Sequence, residues 1–365
     1  MANDPINLYD YEARAEQVLP HNAWDFIDAG AMDEFTTKRN RTAIDELSLR
    51  PRFLRSVEER KISTSMLGMD ISMPVFACPS GSHAIAHPDG ELATARGAGR
   101  SNTLMMLATG SNYSMEEVAE VATGPLWFQL YHRGKELTEM LVRRAEAAGF
   151  KAIVLTIDTP VASPKERDLR NRFERTLELG NFRDTGLPRE VISGTDETPG
   201  WNVSSSDPIT WDDLAWLRGL TSLPLVLKGV RVGEDAHIAA ENGVEAILVS
   251  THGGRQLDQT MSSIETVPEI VEAVKGRCEV YMDSGVRRGS DVVKALALGV
   301  KAVGIGRPLY WGLAAAGADG VHHVLELLRE EINRAMGFCG QSDITNLESA
   351  LINIPNNWGP GSTSP

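Results

Sequence analysis

Eight short apolar runs rich in β-branched residues recur along the chain, most of them separated by stretches of helical length. They are MPVFAC from Met73, TLMMLAT from Thr103, LWFQLY from Leu126, AIVLTID from Ala152, LPLVLKG from Leu223, EAILVS from Glu245, EVYMDS from Glu279 and AVGIG from Ala302. A run with no polar alternation reads as a strand buried on both faces, which is the habit of parallel sheets. The intervening segments carry helical spacing: in GKELTEMLVRRAEAAGF, Leu137, Leu141 and Ala145 fall on one face. Repeated βα units predict an all-parallel α/β sheet. Eight repeats over this length favour a closed (β/α)8 TIM barrel over an open doubly wound sheet. No GxGxxG follows the first run, as a dinucleotide-binding half would require.

The same reading divides residues 1–355 within one domain. Residues 1–72 form a mostly helical flank, 73–335 the barrel, and 356–365 a frayed tail. Between LTIDTP and LPLVLK, residues 160–210 are polar and rich in Gly, Pro and Ser. A segment of that kind after strand four is either a disordered insertion or a mobile lid over an active site. With 42% apolar and 24% charged residues the chain has an ordinary globular composition. Its net charge of -14 repels phosphodiester backbones and anionic lipid, so neither nucleic acid nor membrane is an expected partner. Nowhere is there an uncharged apolar run long enough to span a bilayer, and the start of the chain lacks the pattern of a secretory leader. Cys78, Cys278 and Cys339 have neither disulfide-framework nor zinc-site spacing, so no metal is expected and a reducing cytoplasm fits best.

In a barrel of this kind chemistry sits at the carboxyl ends of the strands. Those ends carry Gln129 and Tyr131, Thr156 and Asp158, Lys228, then Ser250, His252 and Arg255, then Asp283, Gly285 and Arg287, and finally Gly306 and Arg307. A mouth holding Lys228, Arg255, Arg287 and Arg307 in an acidic protein needs anionic partners, because unpaired buried cations are costly. DSGVRRG and GIGRP follow strands seven and eight, the usual phosphate position of this barrel. His252 and Arg255, in STHGGRQLD, are expected to sit apart from it. The first can move a proton near neutral pH and the second can grip a carboxylate by two hydrogen bonds.

These motifs, together with FQLY, LTIDTP and LPLVLKGV, resemble the FMN-dependent α-hydroxy-acid oxidase and dehydrogenase family from about Tyr9 to Ile352. The resemblance implies FMN as cofactor, often in a homotetramer, and oxidation of a small α-hydroxy acid to the α-keto acid. Oxygen or another acceptor would reoxidise the flavin. It assigns Pro79, Ser80, Gly81, Gln129, Thr156, Lys228 and Ser250 to the flavin ring or ribityl chain, and Asp283, Gly285, Arg287, Gly306 and Arg307 nearer the ribityl and phosphate. It makes His252 the base that takes a proton from substrate while the carbon-bound hydrogen and two electrons pass to flavin N5. Asp158 would stabilise the resulting imidazolium, Lys228 would offset charge on the reduced ring, Tyr131 would donate to substrate, and Arg255 would clamp its carboxylate.

The chain departs from the family pattern at several positions. Phe26 stands where a tyrosine is usual, and Lys165 where a second substrate-binding arginine aligns. Lys165 keeps the charge but loses the two-pronged geometry. Ala108 occupies a frequent serine position beside the flavin, and Gly110 replaces a bulky aromatic. A weaker carboxylate grip and a wider pocket point to an acid larger than glycolate, or to a non-standard substrate. Gly81 replaces an alanine common in oxidases, either to serve a turn or to open space beside N5. Two other readings stay open: a non-redox barrel acting on a phosphorylated metabolite, and a catalytically silent flavin-binding protein.

Overall fold

The computed structural model describes residues 4–174, 177–183, 185, 209–355 and 358. Eight parallel strands close into a barrel: β1 (Val75–Ala77), β2 (Met105–Ala108), β3 (Leu126–Leu130), β4 (Ile153–Thr156), β5 (Leu225–Val230), β6 (Ala246–Val249), β7 (Glu279–Asp283) and β8 (Ala302–Ile305). Seven fall inside the apolar runs, and β5 runs one residue past the fifth, to Val230. Neighbours in sequence are neighbours in the barrel, and β8 pairs back onto β1 through Val303 opposite Val75.

Alternation along each strand sorts the core into two layers. Phe76, Met106, Trp127, Val154, Val226, Leu248 and Tyr281 point inward and fill the lumen. Their neighbours Leu107, Phe128, Leu155, Leu227, Val249 and Met282 point outward against the helices. Both sides of every strand are thus dry, which is why the runs show no polar alternation. The outer ring includes α6 (Gly134–Ala147), whose Leu137, Leu141 and Ala145 are buried. A short hairpin, Thr64–Met66 with Met69–Ile71, closes the amino-terminal end of the lumen by adding Met66 and Ile71 to the inner cluster. The final helix, α12 (Arg307–Phe338), begins at the carboxyl end of β8 and breaks at Ala316 and Gly317.

Ahead of the barrel lie α1 (Leu8–Val18), α2 (His21–Asp28) and α3 (Phe35–Glu46). Helix α3 rests directly on the loops after β6 and β7. A Cβ at Gly254 would lie 2.5 Å from the Thr37 nitrogen, and one at Gly285 would lie 2.2 Å from the Asn40 oxygen. Both glycines also have positive φ, so no other residue serves there without displacing the helix. Much of the expected 160–210 loop, and the tail from 356 apart from Trp358, fall outside the described residues. Among the described residues all three cysteines are free, no cluster of three or more metal-ligating side chains occurs, and no helix is long and apolar enough to cross a membrane.

Candidate active site

Four strand ends bring their polar side chains together at the barrel mouth. Strand β5 carries Lys228 opposite Thr156 of β4, and its register shifts between Lys228 and Val230. At that bulge Gly229 has φ of 108°, and a Cβ there would lie 2.7 Å from the Asp158 Cβ, so the glycine is what lets Asp158 approach. After β6, His252 takes a left-handed conformation, φ of 57°, and turns its ring toward β4. Its Nδ1 lies 3.0 Å from Asp158 Oδ1, and its Nε2 faces the Tyr131 hydroxyl at 3.5 Å. With Nδ1 against a carboxylate, the contacts assign the ring proton to Nδ1 and leave Nε2 as the open base.

Charge is balanced tightly around this ring. Lys228 is 3% exposed, donates to Ser250 Oγ at 2.9 Å and stands 3.8 Å from Asp283. Burial alone would pull the lysine down, but Asp283 and Asp158 outweigh it and hold the ammonium above its ordinary value. His252 is pulled below the usual histidine range, first by burial and then by Lys228, against the opposing pull of Asp158. Asp158 resists its own desolvation because the imidazole and Lys228 favour the carboxylate, so its carboxyl sits below the ordinary range.

Deeper in the mouth the side chains order one another. Gln129 accepts from the Thr109 backbone N–H at 3.1 Å and donates to Thr156 Oγ1 at 2.9 Å. Thr109, beside the buried Ala108, spends its own hydroxyl on the Gln129 carbonyl. Ser284 ties two loops by donating to Asp283 and accepting from the Gly253 N–H. The β1 loop of Pro79, Ser80 and Gly81 meets the β2 loop so closely that Ser82 N–H donates to the Gly110 carbonyl.

The cations are distributed differently from the expectation. Arg255 does not sit apart from Arg307: both donate to the Ala29 carbonyl, at 2.6 and 3.1 Å. Arg307 swings over Gly253, donating to its carbonyl at 2.9 Å, and the absent Gly253 side chain makes room, since a Cβ would sit 3.0 Å from Arg307 Nη1. Arg287 lies against the Trp311 ring, 4.6 Å from its centroid. Among the described residues, no carboxylate lies within ion-pair distance of Arg255, Arg287 or Arg307. Burial and then the Arg255 charge push Arg307 down to about 9. This partly buried charge, offset only in part by Glu12 and Asp28 in the same cavity, lies beside Gly285, Gly306 and the start of α12 and fits an anionic phosphate.

At the outer rim, Phe26 stacks on Phe173 with centroids 4.8 Å apart, and the Arg255 guanidinium lies 5.4 Å from the Phe26 centroid. Lys165 Nζ donates to the Ser163 carbonyl at 2.8 Å. Asp168 went unnoticed in the sequence because PKERDLRN reads as an exposed charged helix. Its Oδ1 is buried without a hydrogen-bond partner, and burial raises its carboxyl despite Arg255 and Lys165 nearby. His83, behind the β1 loop, was also missed; its only signal is its place just after the first strand, in SGSHAIAH.

A TIM barrel with its polar side chains and an unbalanced cation cluster at the carboxyl-terminal mouth defines a barrel enzyme for a phosphate-bearing cofactor. Residues 15–354 match the family described as FMN-dependent dehydrogenase, and the chain belongs to that family. It is 45% identical to an L-lactate oxidase of Nostoc sp. over 96% of this chain and 99% of that protein. It is also 45% identical to human 2-hydroxyacid oxidase 1, over 95% and 96% of the two chains. A crystal structure of mandelate oxidase superposes with a TM-score of 0.88 at 40% identity, covering 96% of this chain and 98% of that one. The chain is therefore an FMN-dependent enzyme of the 2-hydroxy-acid oxidase family, which sets aside the non-redox barrel reading.

Proposed function

We propose that the protein oxidises an L-α-hydroxy acid larger than glycolate, with an apolar side chain, to its α-keto acid. The observation that carries this is the His252 imidazole held between Asp158 and Tyr131, with Arg255 on the same loop. In this reading His252 Nε2 takes the substrate proton, and the Asp158 carboxylate stabilises the imidazolium that forms. Tyr131 donates to the substrate oxygen. Arg255 holds the carboxylate with the guanidinium nitrogens not spent on the Phe26 and Ala29 carbonyls. Lys165 adds a single-pronged cation at the rim.

Bound FMN supplies the two-electron acceptor. Pro79, Ser80, Gly81, Ala108, Gln129, Thr156, Lys228 and Ser250 would hold its ring and upper chain, with Asp283, Gly285, Arg287, Gly306 and Arg307 toward the phosphate. Lys228, kept cationic by Asp283, would offset negative charge beside the ring. The stacked Phe26 and Phe173 give the rim an apolar wall where a tyrosine hydroxyl is usual, which supports a substrate with an apolar side chain. The mandelate oxidase structures include complexes with (S)-2-phenylpropionate and (S)-mandelic acid, ligands of that kind.

Anaerobic mixing with a panel of α-hydroxy acids tests the reading through flavin bleaching. Aromatic and branched acids are expected to bleach at lower concentration than glycolate. Lys165→Arg is expected to lower the half-saturating concentration of glycolate and lactate by roughly tenfold, the scale of one charge-assisted bond. Bleaching by no member of the panel, or best by glycolate, would overturn the substrate assignment.

We further infer a cytoplasmic homotetramer. Free cysteines support the compartment. Val161, Val232 and Leu257, exposed after three successive strands, are apolar positions that a subunit contact would cover. Light scattering of the purified holoenzyme tests the assembly.

A further inference from the structure

His83 follows the β1 loop and is 1% exposed. Its ring packs edge-on against Tyr310, centroids 4.7 Å apart, and the Tyr310 hydroxyl donates to the Gly81 carbonyl. Its Nε2 lies 2.9 Å from Ser80 Oγ and its Nδ1 lies 2.8 Å from Thr94 Oγ1. Ser80 also reaches the Cys78 carbonyl at 3.3 Å, and Thr94 reaches the Gly90 carbonyl at 3.4 Å. The hydrogen-bonded chain therefore runs from a carbonyl through Ser80, His83 and Thr94 to a second carbonyl.

Counting protons along that chain leaves two arrangements. A neutral imidazole carries one N–H, and each hydroxyl has one proton to give. In the first, Ser80 donates to Nε2, Nδ1–H donates to Thr94, and Thr94 donates to Gly90. In the second the direction reverses: Thr94 donates to Nδ1, Nε2–H donates to Ser80, and Ser80 donates to Cys78. Both arrangements use the same two short contacts to the ring and differ only in which hydroxyl reaches a carbonyl, and the consequence is shared. Either way the single Ser80 proton is spent inside the protein, and only lone pairs remain for a partner at the mouth. Burial keeps His83 below the usual histidine range and so in the neutral form that this count requires.

We propose that His83 is a positioning residue that fixes the Ser80 hydroxyl as a hydrogen-bond acceptor toward the flavin, biasing the bound cofactor toward its reduced form. With N5 within reach of Ser80, an oxidised flavin would present a lone pair there, which an acceptor-only hydroxyl would not satisfy. A reduced flavin would present an N–H there, which it would. Ser80 would thus favour one oxidation state, and His83 keeps the hydroxyl proton on an internal acceptor, its own Nε2 or the Cys78 carbonyl, and off the flavin. This inference needs no hydroxy acid, so it stands or falls separately from the substrate reading above.

The test equilibrates FMN-loaded protein with a redox dye and reads the ratio of reduced to oxidised flavin at a fixed dye ratio. Ser80→Ala is expected to lower that ratio roughly fivefold, the factor that corresponds to one net hydrogen bond. His83→Phe, which keeps a ring against Tyr310, is expected to lower it at least as far, and to add nothing in the Ser80→Ala background. A merely structural role would reduce the unfolding midpoint without this non-additive pattern. An unchanged ratio in either single variant, or an equal His83→Phe effect with and without the Ser80 hydroxyl, overturns the proposal. If His83→Phe does not fold, His83→Gln decides: its amide oxygen still takes the Ser80 proton, so a ratio displaced from wild type overturns the proposal and a retained one supports it.

Discussion

Opposing pulls act on the His252 imidazole. Desolvation and the Lys228 ammonium disfavour a second proton, while Asp158 favours it, and the first two win. The ring is therefore neutral through the neutral range and ready to accept a proton at Nε2. His252→Ala is expected to keep FMN bound while slowing anaerobic reduction by about a hundredfold or more. Near-normal bleaching in stopped-flow would remove His252 from the chemistry. The pH dependence follows the same sign. Because folding depresses this pKa, the unfolded chain takes up the proton first on acidification. The associated stability is fully present above the ordinary histidine value and is lost as pH falls toward the depressed one. Asp158, also depressed, loses its contribution in the same direction at lower pH. Urea unfolding of wild type across this range should show that acid loss, and the His252→Ala variant should show less of it.

At the level of loops and helices, close backbone approach decides what each glycine is for. The STHGGR turn carries two: Gly253 clears the Arg307 guanidinium and Gly254 clears α3. Gly81 has a similar explanation. A Cβ there would lie 2.8 Å from the Gly110 carbonyl oxygen, which is backbone and cannot swing away. The Gly81 backbone is not left-handed, so the turn does not require a glycine, and close packing against the β2 loop is the cause the structure shows. Gly81→Ala is thus expected to part the β1 and β2 loops and destabilise the holoprotein by about 1–3 kcal/mol, changing flavin reoxidation as a consequence. Thermal unfolding and stopped-flow reoxidation check this together. A variant as stable as wild type would show that the loops part at no cost and restore the reading based on room beside N5.

For the molecule as a whole, the acidic exterior and the cationic mouth are two halves of one arrangement. Arg287 and Arg307 are held by carbonyl oxygens and an aromatic ring, and burial depresses both. A bound phosphate would compensate this charge in the folded state only, so FMN should stabilise the fold by mass action, about 2.7 kcal/mol at a hundred times its dissociation constant. Thermal unfolding of the apoprotein is expected to shift upward with FMN and with millimolar inorganic phosphate. Riboflavin, which lacks the phosphate, should shift it less. Equal shifts with riboflavin and FMN at matched concentration would show that the arginines do not hold the phosphate.

Barrel architecture and the strand-end residues were legible in the sequence for a physical reason: strands dry on both faces must be apolar throughout, and side chains at their carboxyl ends must share one mouth. Tyr131, Asp158, Lys228 and His252 could therefore be named before any contact was known. What the sequence could not contain is direction. Arg307 turning to share a carbonyl with Arg255, Asp168 with one carboxylate oxygen buried, and His83 reaching back to Ser80 all depend on how loops from distant segments meet. Side-chain aim at a loop is set by those neighbours and not by local periodicity. Hence the tertiary structure alone decided which polar residues face one another, and with them where the protons lie.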